Sequence, residues 1–405
     1  MNKKVLNNGI KIIYKYRHGN ISSFCVGFEA GANMEEGYKL GTAHAVEHML
    51  FKGTNTLNEL EINKLCHEIF GFNNAMTNYP YCIYYGTTLS SDFYRGFKLY
   101  SDIVLNPAFP MEGFKEEISI IDEELKEWKD DLVQYCEDEL FYNSFSHRRI
   151  KELIIGNEES LKSLSLEELK SFYDEFYRPN NCVISVVSSL EFEEILGIIE
   201  ELFGHWQKDY FRKDLKLYEK NKNGVYIKHK KGINSAKIKY IYTINDLNEK
   251  EVNALNVFNT IFGDGTSSLL FDLIRTKNGL VYDITSSIKN EKGIKIFNID
   301  LSTSEKNIDT VLGFINELIE VVKNSSDYFN NDLIKKSIKT LTLKRELKLE
   351  KSIELCKSLA VNEIMYGSSE IFYEEPKNLE EITVQNIIEV INKILKEPSI
   401  QIIKP

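Results

Sequence analysis

Residues 40–54 read LGTAHAVEHMLFKGT. The run from Ala43 to Phe51 is apolar at helical spacing, so the spacing predicts a helix. On that helix His44 and His48 stand at i and i+4 and share a face. Two imidazoles so placed can clamp one metal ion. Glu47 precedes His48 and follows His44 by one turn, so it sits near such a metal without having to bind it. Hydrolytic zinc keeps three protein ligands and an open position for water. The metal acidifies that water, and a nearby carboxylate takes its proton. The order H-x-x-E-H is the inverzincin motif. The plain alternative is two histidines and a glutamate on a solvated helix face, and the short motif alone leaves the two readings balanced. The apolar surroundings favour the metal, because buried imidazoles need partners.

A catalytic site needs a third ligand. Residues 111–130, MEGFKEEISIIDEELKEWKD, offer Glu116, Glu117, Glu123, Glu124 and Glu127. Glu117 and Glu124 are one i, i+7 step apart and share a face, with Ile120 and Ile121 between them. Most of these carboxylates belong to a solvated acidic helix, and spacing does not choose the ligand.

The whole chain sets the bounds. Its 405 residues suggest two or three domains at about 150 residues each. A hydrophobic share of 42% and a charged share of 27% are ordinary for a globular protein. A net charge of -11 argues against a nucleic-acid binder. The six cysteines form no CxxC pair, which speaks against a zinc ribbon or a disulfide framework. MNKKVLNNGIKIIYKYRHGN lacks the apolar core of a signal peptide, and no run reaches the roughly 18 apolar residues of a membrane span. The expected location is the cytoplasm.

Strand patterns cover Ile10–Tyr16, Ser23–Ala30, Ile83–Ser90 and NCVISVVSS, and helical patterns alternate with them. Met111 to about Tyr142 reads as one long helix broken near Asp130–Asp131. SLEELKSFYDEFY opens on Ser165 with Glu168 three residues on, the pattern of a capping box. From Trp206 to Gly224 the periodicity dissolves, as in a linker. Beyond it AKIKYIYTI, EKEVNALNVFNTIFG, IKIFNIDLSTS and NIDTVLGFINELIEVV restate the earlier order of elements. Asp332–Met365 reads as one helical stretch. The expectation is an α+β chain of two similar domains, residues 1–212 and 213–405, each an antiparallel sheet with helices on one face.

NNGIKIIYK, GTAHAVEHMLFKGT, GFNNAMTNYPYCIYY, LNPAFP, IIGNEESLKSLSLEELKSFYDEFYRPNN and LIRTKNGLVY stand here in one order and spacing. In that, the chain resembles the pitrilysin (insulinase) family of zinc metallopeptidases over almost its whole length. The resemblance implies one Zn²⁺ per chain on His44, His48 and a distal glutamate, with Glu47 as the base. The family's distance from the second histidine puts the distal ligand on Glu124, and its supporting glutamate on Glu117. NNAMT matches a strand edge that takes substrate as an added strand, so Asn74 and Ala75 are expected to bind peptide. RTKNGLVY matches an Arg–Tyr pair, so Arg275 and Tyr282 are expected to hold the substrate backbone and the developing oxyanion. The implied activity is an endopeptidase that cleaves peptides or short unfolded segments in a closed chamber. It would work as a homodimer or as a heterodimer with a related subunit. A non-catalytic peptide-binding subunit is the alternative. The chain departs from the family at Pro80, where glutamate is usual, at Ser188-Ser189, and in lacking a Pro-Leu-Gly run near FYNSFSHRRIKELIIG.

Overall fold

Six strands form the first sheet in the order β1-β2-β6-β3-β5-β4. They are β1 Asn2–Val5, β2 Lys11–Tyr16, β3 Ile21–Phe28, β4 Phe70–Thr77, β5 Cys82–Leu89 and β6 Cys182–Ser188. Five strands form the second, in the order β7-β11-β8-β10-β9. These are β7 Gly224–His229, β8 Ala236–Thr243, β9 Val281–Glu291, β10 Ile294–Thr303 and β11 Ser399–Lys404. The computed structural model describes residues 1–207, 215–324, 326–371 and 379–405. The expected linker falls partly on 208–214, outside the described residues.

The twelve helices used below are α1 Thr42–Leu50, α2 Glu59–Ile69, α3 Phe93–Leu105, α4 Met111–Asp130, α5 Leu132–Ser144, α6 Glu158–Ser163, α7 Leu166–Phe176, α8 Phe192–Phe203, α9 Glu249–Phe262, α10 Ile308–Asn324, α11 Asn331–Leu349 and α12 Ser352–Tyr366. A last helix spans Val384–Ile394. The α+β class holds, and the repeat is explicit. The strands beginning at residues 11, 21 and 182 are answered by strands beginning at 224, 236 and 399.

Neither sheet is purely antiparallel. β6 lies parallel to β2 and antiparallel to β3, and β11 lies parallel to β7 and antiparallel to β8. The last strand of each sheet returns through a long helical connection, which is what a parallel pairing needs. β6 is buried at every residue, as a strand covered on both faces must be.

The contacts group the chain into two units. The first comprises Met1–Glu127, Leu153–Leu215 and Leu347–Phe372, and the second Trp128–Glu152, Lys216–Glu346 and Tyr373–Pro405. Each unit therefore takes one helix from the other half of the sequence, α12 in the first and α5 in the second. The breaks that allow this are local. Asp131 is extended, and its Oδ1 accepts from the amides of Val133 and Gln134, closing α4 and opening α5. The stretch 332–365 is likewise two helices rather than one, interrupted between Leu349 and Ser352.

Alternation along β3 sorts its faces. Phe24, Val26 and Phe28 enter the main core with α1, α3, α7 and α8 residues. Ser23 and Gly27 face α12, through Ser23 Oγ to Ser352 Oγ at 2.7 Å and Gly27 against Ile364. The expectation of helices on one face thus needs an addition: α12 covers part of the opposite face, because small residues there let a helix approach. In the second unit too a helix covers the opposite face, α5 on β8 and β11.

The capping box expected at Ser165 is half formed. Ser165 Oγ accepts the Glu168 amide, but the Glu168 carboxylate is taken by the Lys39 amide at 2.8 Å and Lys39 Nζ at 2.9 Å. A charged partner outcompetes the Ser165 amide, and α7 is thereby tied to the chain entering α1.

Candidate metal centre

α1 opens without a local side-chain cap. Gly41 sits at φ 89°, and a Cβ there would meet the Ile155 carbonyl oxygen at 2.5 Å, so only glycine fits. The first-turn amides are satisfied from a distance: buried Glu35 accepts from Gly41 N at 3.2 Å and Ala43 N at 2.9 Å. A carboxylate at a helix N-terminus also suits the helix dipole. Ala43, Ala45, Val46, Met49 and Leu50 are buried, which leaves His44, Glu47 and His48 along a half-buried side.

His44 Nε2 and His48 Nε2 lie 3.3 Å apart. Glu124 Oε2, from α4, lies 4.0 Å from the first and 3.6 Å from the second. One ligand atom of each residue falls within 4.8 Å of the others, the one such His/Cys/Asp/Glu group among the described residues. Two nitrogens bound tetrahedrally at about 2.0–2.1 Å from one zinc lie roughly 3.3–3.4 Å apart, so this spacing suits the ion. His44 Nδ1 is buried with no hydrogen-bond partner among the described residues.

Glu117 does something different from Glu124. Its Oε1 is 3.0 Å from His48 Nδ1, and its Oε2 is 2.6 Å from Lys52 Nζ. Glu117 therefore accepts a hydrogen bond from His48 Nδ1–H and leaves the Nε2 lone pair facing His44 and Glu124. Lys52 is held in turn by Glu59 at 2.9 Å. Glu47 faces β4, where the Thr77 hydroxyl donates to its Oε2.

The charges fit a cation. Burial, helped by His48, pulls His44 down to about 3 and keeps it neutral, the form that binds metal. Burial also works against a charge on His48, but the hydrogen bond to Glu117 and the charges of Glu124 and Glu47 outweigh it and raise its pKa. Burial raises Glu47 above the usual carboxylate value, against hydrogen bonds from Thr77. Two imidazoles thus stand in the field of three carboxylates.

The structure brings together His44, Glu47, His48, Glu117 and Glu124. Asn74 and Ala75 lie on β4, the edge of the first sheet; Asn74 is exposed and Ala75 half-buried. Pro80 lies beyond the strand, in the turn closed by Asn78 N to Tyr81 O, so it takes no amide from β4. Arg275 and Tyr282 belong to the second unit. Arg275 is exposed on a π-helical turn, Phe271–Lys277, against the Phe271 ring, and Tyr282 is 61% exposed on edge strand β9. The sequence reading missed Glu35, Lys52 and Thr77. Thr77 and Lys52 did lie in quoted stretches, NNAMT and LGTAHAVEHMLFKGT, whereas Glu35 carried no signal.

A family model described as Insulinase (Peptidase family M16) matches residues 11–158, and one described as Peptidase M16 inactive domain matches 163–341. A chain named uncharacterized zinc protease from Rickettsia bellii is 26% identical over 97% of this chain and 94% of its own length. A mitochondrial-processing peptidase subunit beta from Dictyostelium discoideum is 27% identical over 52% of this chain and 45% of its own. Among solved structures, a protease from Helicobacter pylori superposes with a TM-score of 0.90 at 18% identity, over 100% of this chain and 99% of that one. That likeness carries the fold. With both halves matched in order, the chain belongs to the insulinase, or M16, peptidase family.

Proposed function

We propose that this chain is a zinc-dependent endopeptidase acting on peptides or short unfolded segments within a closed chamber. The observation that carries the reading is the convergence of His44 Nε2, His48 Nε2 and Glu124 Oε2 beside a carboxylate on the same helix. Those three residues would hold the ion. Zinc supplies a Lewis acid that acidifies water and polarises a carbonyl. Glu47 takes the proton of the attacking water and returns it to the leaving amine. Glu117 orients His48. The β4 edge at Asn74 and Ala75 takes the substrate as an added strand, and Arg275 with Tyr282 donates to its backbone and to the developing oxyanion. The working assembly is a homodimer, or a heterodimer with a related subunit.

Glu47→Gln keeps the size of the side chain and removes the base. It is expected to retain zinc and to cut turnover by roughly 10²–10⁴-fold, the usual range for a general base. A peptide-library digest with and without chelator, read by mass spectrometry, measures both the activity and its metal dependence. Cleavage at the parental rate by the variant would overturn the mechanism. The second reading, a non-catalytic peptide-binding subunit, is favoured by the description of the model that matches residues 163–341. Metal analysis separates the two, since only the enzyme requires stoichiometric zinc.

A further inference from the structure

The Gly31–Glu35 segment touches two elements at once. Its amides at Ala32 and Asn33 donate to the carbonyls of Asn78 at 3.0 Å and Tyr79 at 2.8 Å, in the turn that follows β4. Gly31 lies so close that a Cβ would meet the Asn78 carbonyl oxygen at 2.1 Å. Four residues on, Glu35 caps α1 through Gly41 N and Ala43 N. One short segment therefore fixes the end of β4 against the start of α1. Thr77, last residue of β4, is the point where that alignment meets Glu47. Its hydroxyl donates to Glu47 Oε2, with Cys82 Sγ 3.5 Å behind it. Cys82 is fully buried and continues into Tyr84 OH at 3.3 Å and Tyr177 OH, 2.7 Å further on.

We propose that Thr77 is the positioning residue of Glu47: its hydroxyl fixes one carboxylate oxygen, so that the other is the one presented to the reacting water. This rests on the reading of Glu47 as the base. Two physical points carry it. A carboxylate on a rotatable side chain loses effectiveness when its oxygens can exchange roles, and a fixed hydroxyl prevents that. The hydroxyl also belongs to the strand whose edge is proposed to receive the peptide, so the base and the scissile bond are referred to one rigid element.

Thr77→Val keeps the β-branched shape and removes the hydroxyl; Thr77→Ser keeps the hydroxyl and removes the methyl. Thr77→Val is expected to lower kcat by about 10–100-fold, the range seen when a hydrogen-bond partner of a metal centre is lost. KM, zinc content and the circular-dichroism spectrum are expected to match the parent, and Thr77→Ser is expected to restore most of kcat. A Thr77→Val enzyme with parental kcat overturns the proposal. So does a loss that falls in KM, or a Thr77→Ser enzyme as slow as Thr77→Val, which would assign the effect to packing. Glu47→Gln, run beside them, separates the two levels. If it is dead and Thr77→Val keeps the parental kcat, only the positioning role fails; if Glu47→Gln is itself active, the base assignment fails. In the Glu47→Gln background Thr77→Val is expected to cost nothing more, since the two act as a unit.

Discussion

α12 on the first sheet and α5 on the second cover corresponding strands, β3 with β6 and β8 with β11, yet the two seams differ in chemistry. The first is neutral along β3 and β6, where Ser23 meets Ser352 at 2.7 Å and Ser185 meets Cys356 Sγ at 3.0 Å; the buried charge on α12, Glu363, reaches instead to Lys11 of β2 at 3.0 Å. The second is ionic: buried Glu137 on α5 pairs with Lys239 and Lys289, and buried Asp300 pairs with Lys237 and, at 3.4 Å, with Lys239. In the second unit, then, the buried charges at this seam close on one another. In the first, one set on α1 and α4 does not close, since two imidazole nitrogens and a carboxylate oxygen face a common point. α9, which follows β8 as α1 follows β3, has no such group among the described residues; its buried Asn259 accepts from Ser286 Oγ at 2.7 Å. Burying ionisable groups does not mark a site. A half-buried set that leaves ligand atoms directed at each other does.

The largest effect expected from breaking this contrast is on stability. Glu137→Gln removes the nearer countercharge of buried Lys239 and leaves it only Asp300, at 3.4 Å; breaking a buried pair in this way typically costs up to about 3–5 kcal/mol. Replacing both, as Glu137→Met with Lys239→Met, should recover much of that, because two desolvated charges leave together. Zinc content of the folded fraction should be unchanged in either case. The pH dependence follows from the same pair. Burial pushes Glu137 up, but Lys239 and Lys289 outweigh it and hold its pKa below the usual value. Its contribution is therefore present above the unfolded glutamate value, about 4.3, and is lost as the pH falls through the lower folded value. Burial pulls Lys239 down, but Glu137 and Asp300 outweigh it and raise its pKa. Its contribution is complete below the unfolded lysine value, about 10.4, and is lost as the pH rises through the higher folded one. The thermal midpoint should lie on a plateau between those limits, and Glu137→Gln should remove the acid limb assigned to this pair.

A smaller effect is expected where the first unit does pair its charges. Glu117→Gln weakens the acceptor for His48 Nδ1–H and leaves Lys52 paired with Glu59 alone. The loss should be about 10–100-fold in zinc affinity or turnover, as for other partners of a metal ligand. Competition with a chromogenic chelator reads the affinity directly. Unchanged affinity and turnover would show that His48 needs no orienting partner.

Much of this was legible in sequence because it is local. The i, i+4 histidines, the break at Asp131 and the alternation in β3 and β8 are all written in neighbouring residues. Glu117 and Glu124 were indistinguishable by spacing, since both lie on one face of α4; what separates them is which nitrogen of His48 each meets, a contact made across 69 residues in one case. The exchange of α5 and α12 was invisible for the same reason. Neither helix has a strong apolar stripe of its own, so its pattern selects no sheet, and the choice lies in strand residues far away in the chain. Glu168 shows the reverse error, a local pattern overridden by a distant lysine.

The smallest effect compares how α1 and α9 begin. α9 starts on a complete local box, with Asn248 Oδ1 accepting the Glu251 amide at 3.0 Å and the Glu251 carboxylate accepting the Asn248 amide at 2.8 Å. Asn248→Ala removes one of those bonds and should cost about 0.5–2 kcal/mol, the usual loss for a cap. Zinc binding and turnover should not change, because no residue of the centre hangs from α9. α1 has its cap at Glu35, remote in the chain and bound into the segment that also holds the β4 turn. Glu35→Gln keeps the size and one acceptor oxygen but forfeits the charge at the helix N-terminus, so its cost in stability should be of the same order, roughly 0.3–1 kcal/mol and up to about 2 where the site is buried. Unlike Asn248→Ala, it should also slow turnover, since a shift of α1 carries His44, Glu47 and His48 with it. Equal turnover in the two variants would mean that the cap of α1 stabilises the helix without setting its position over the centre.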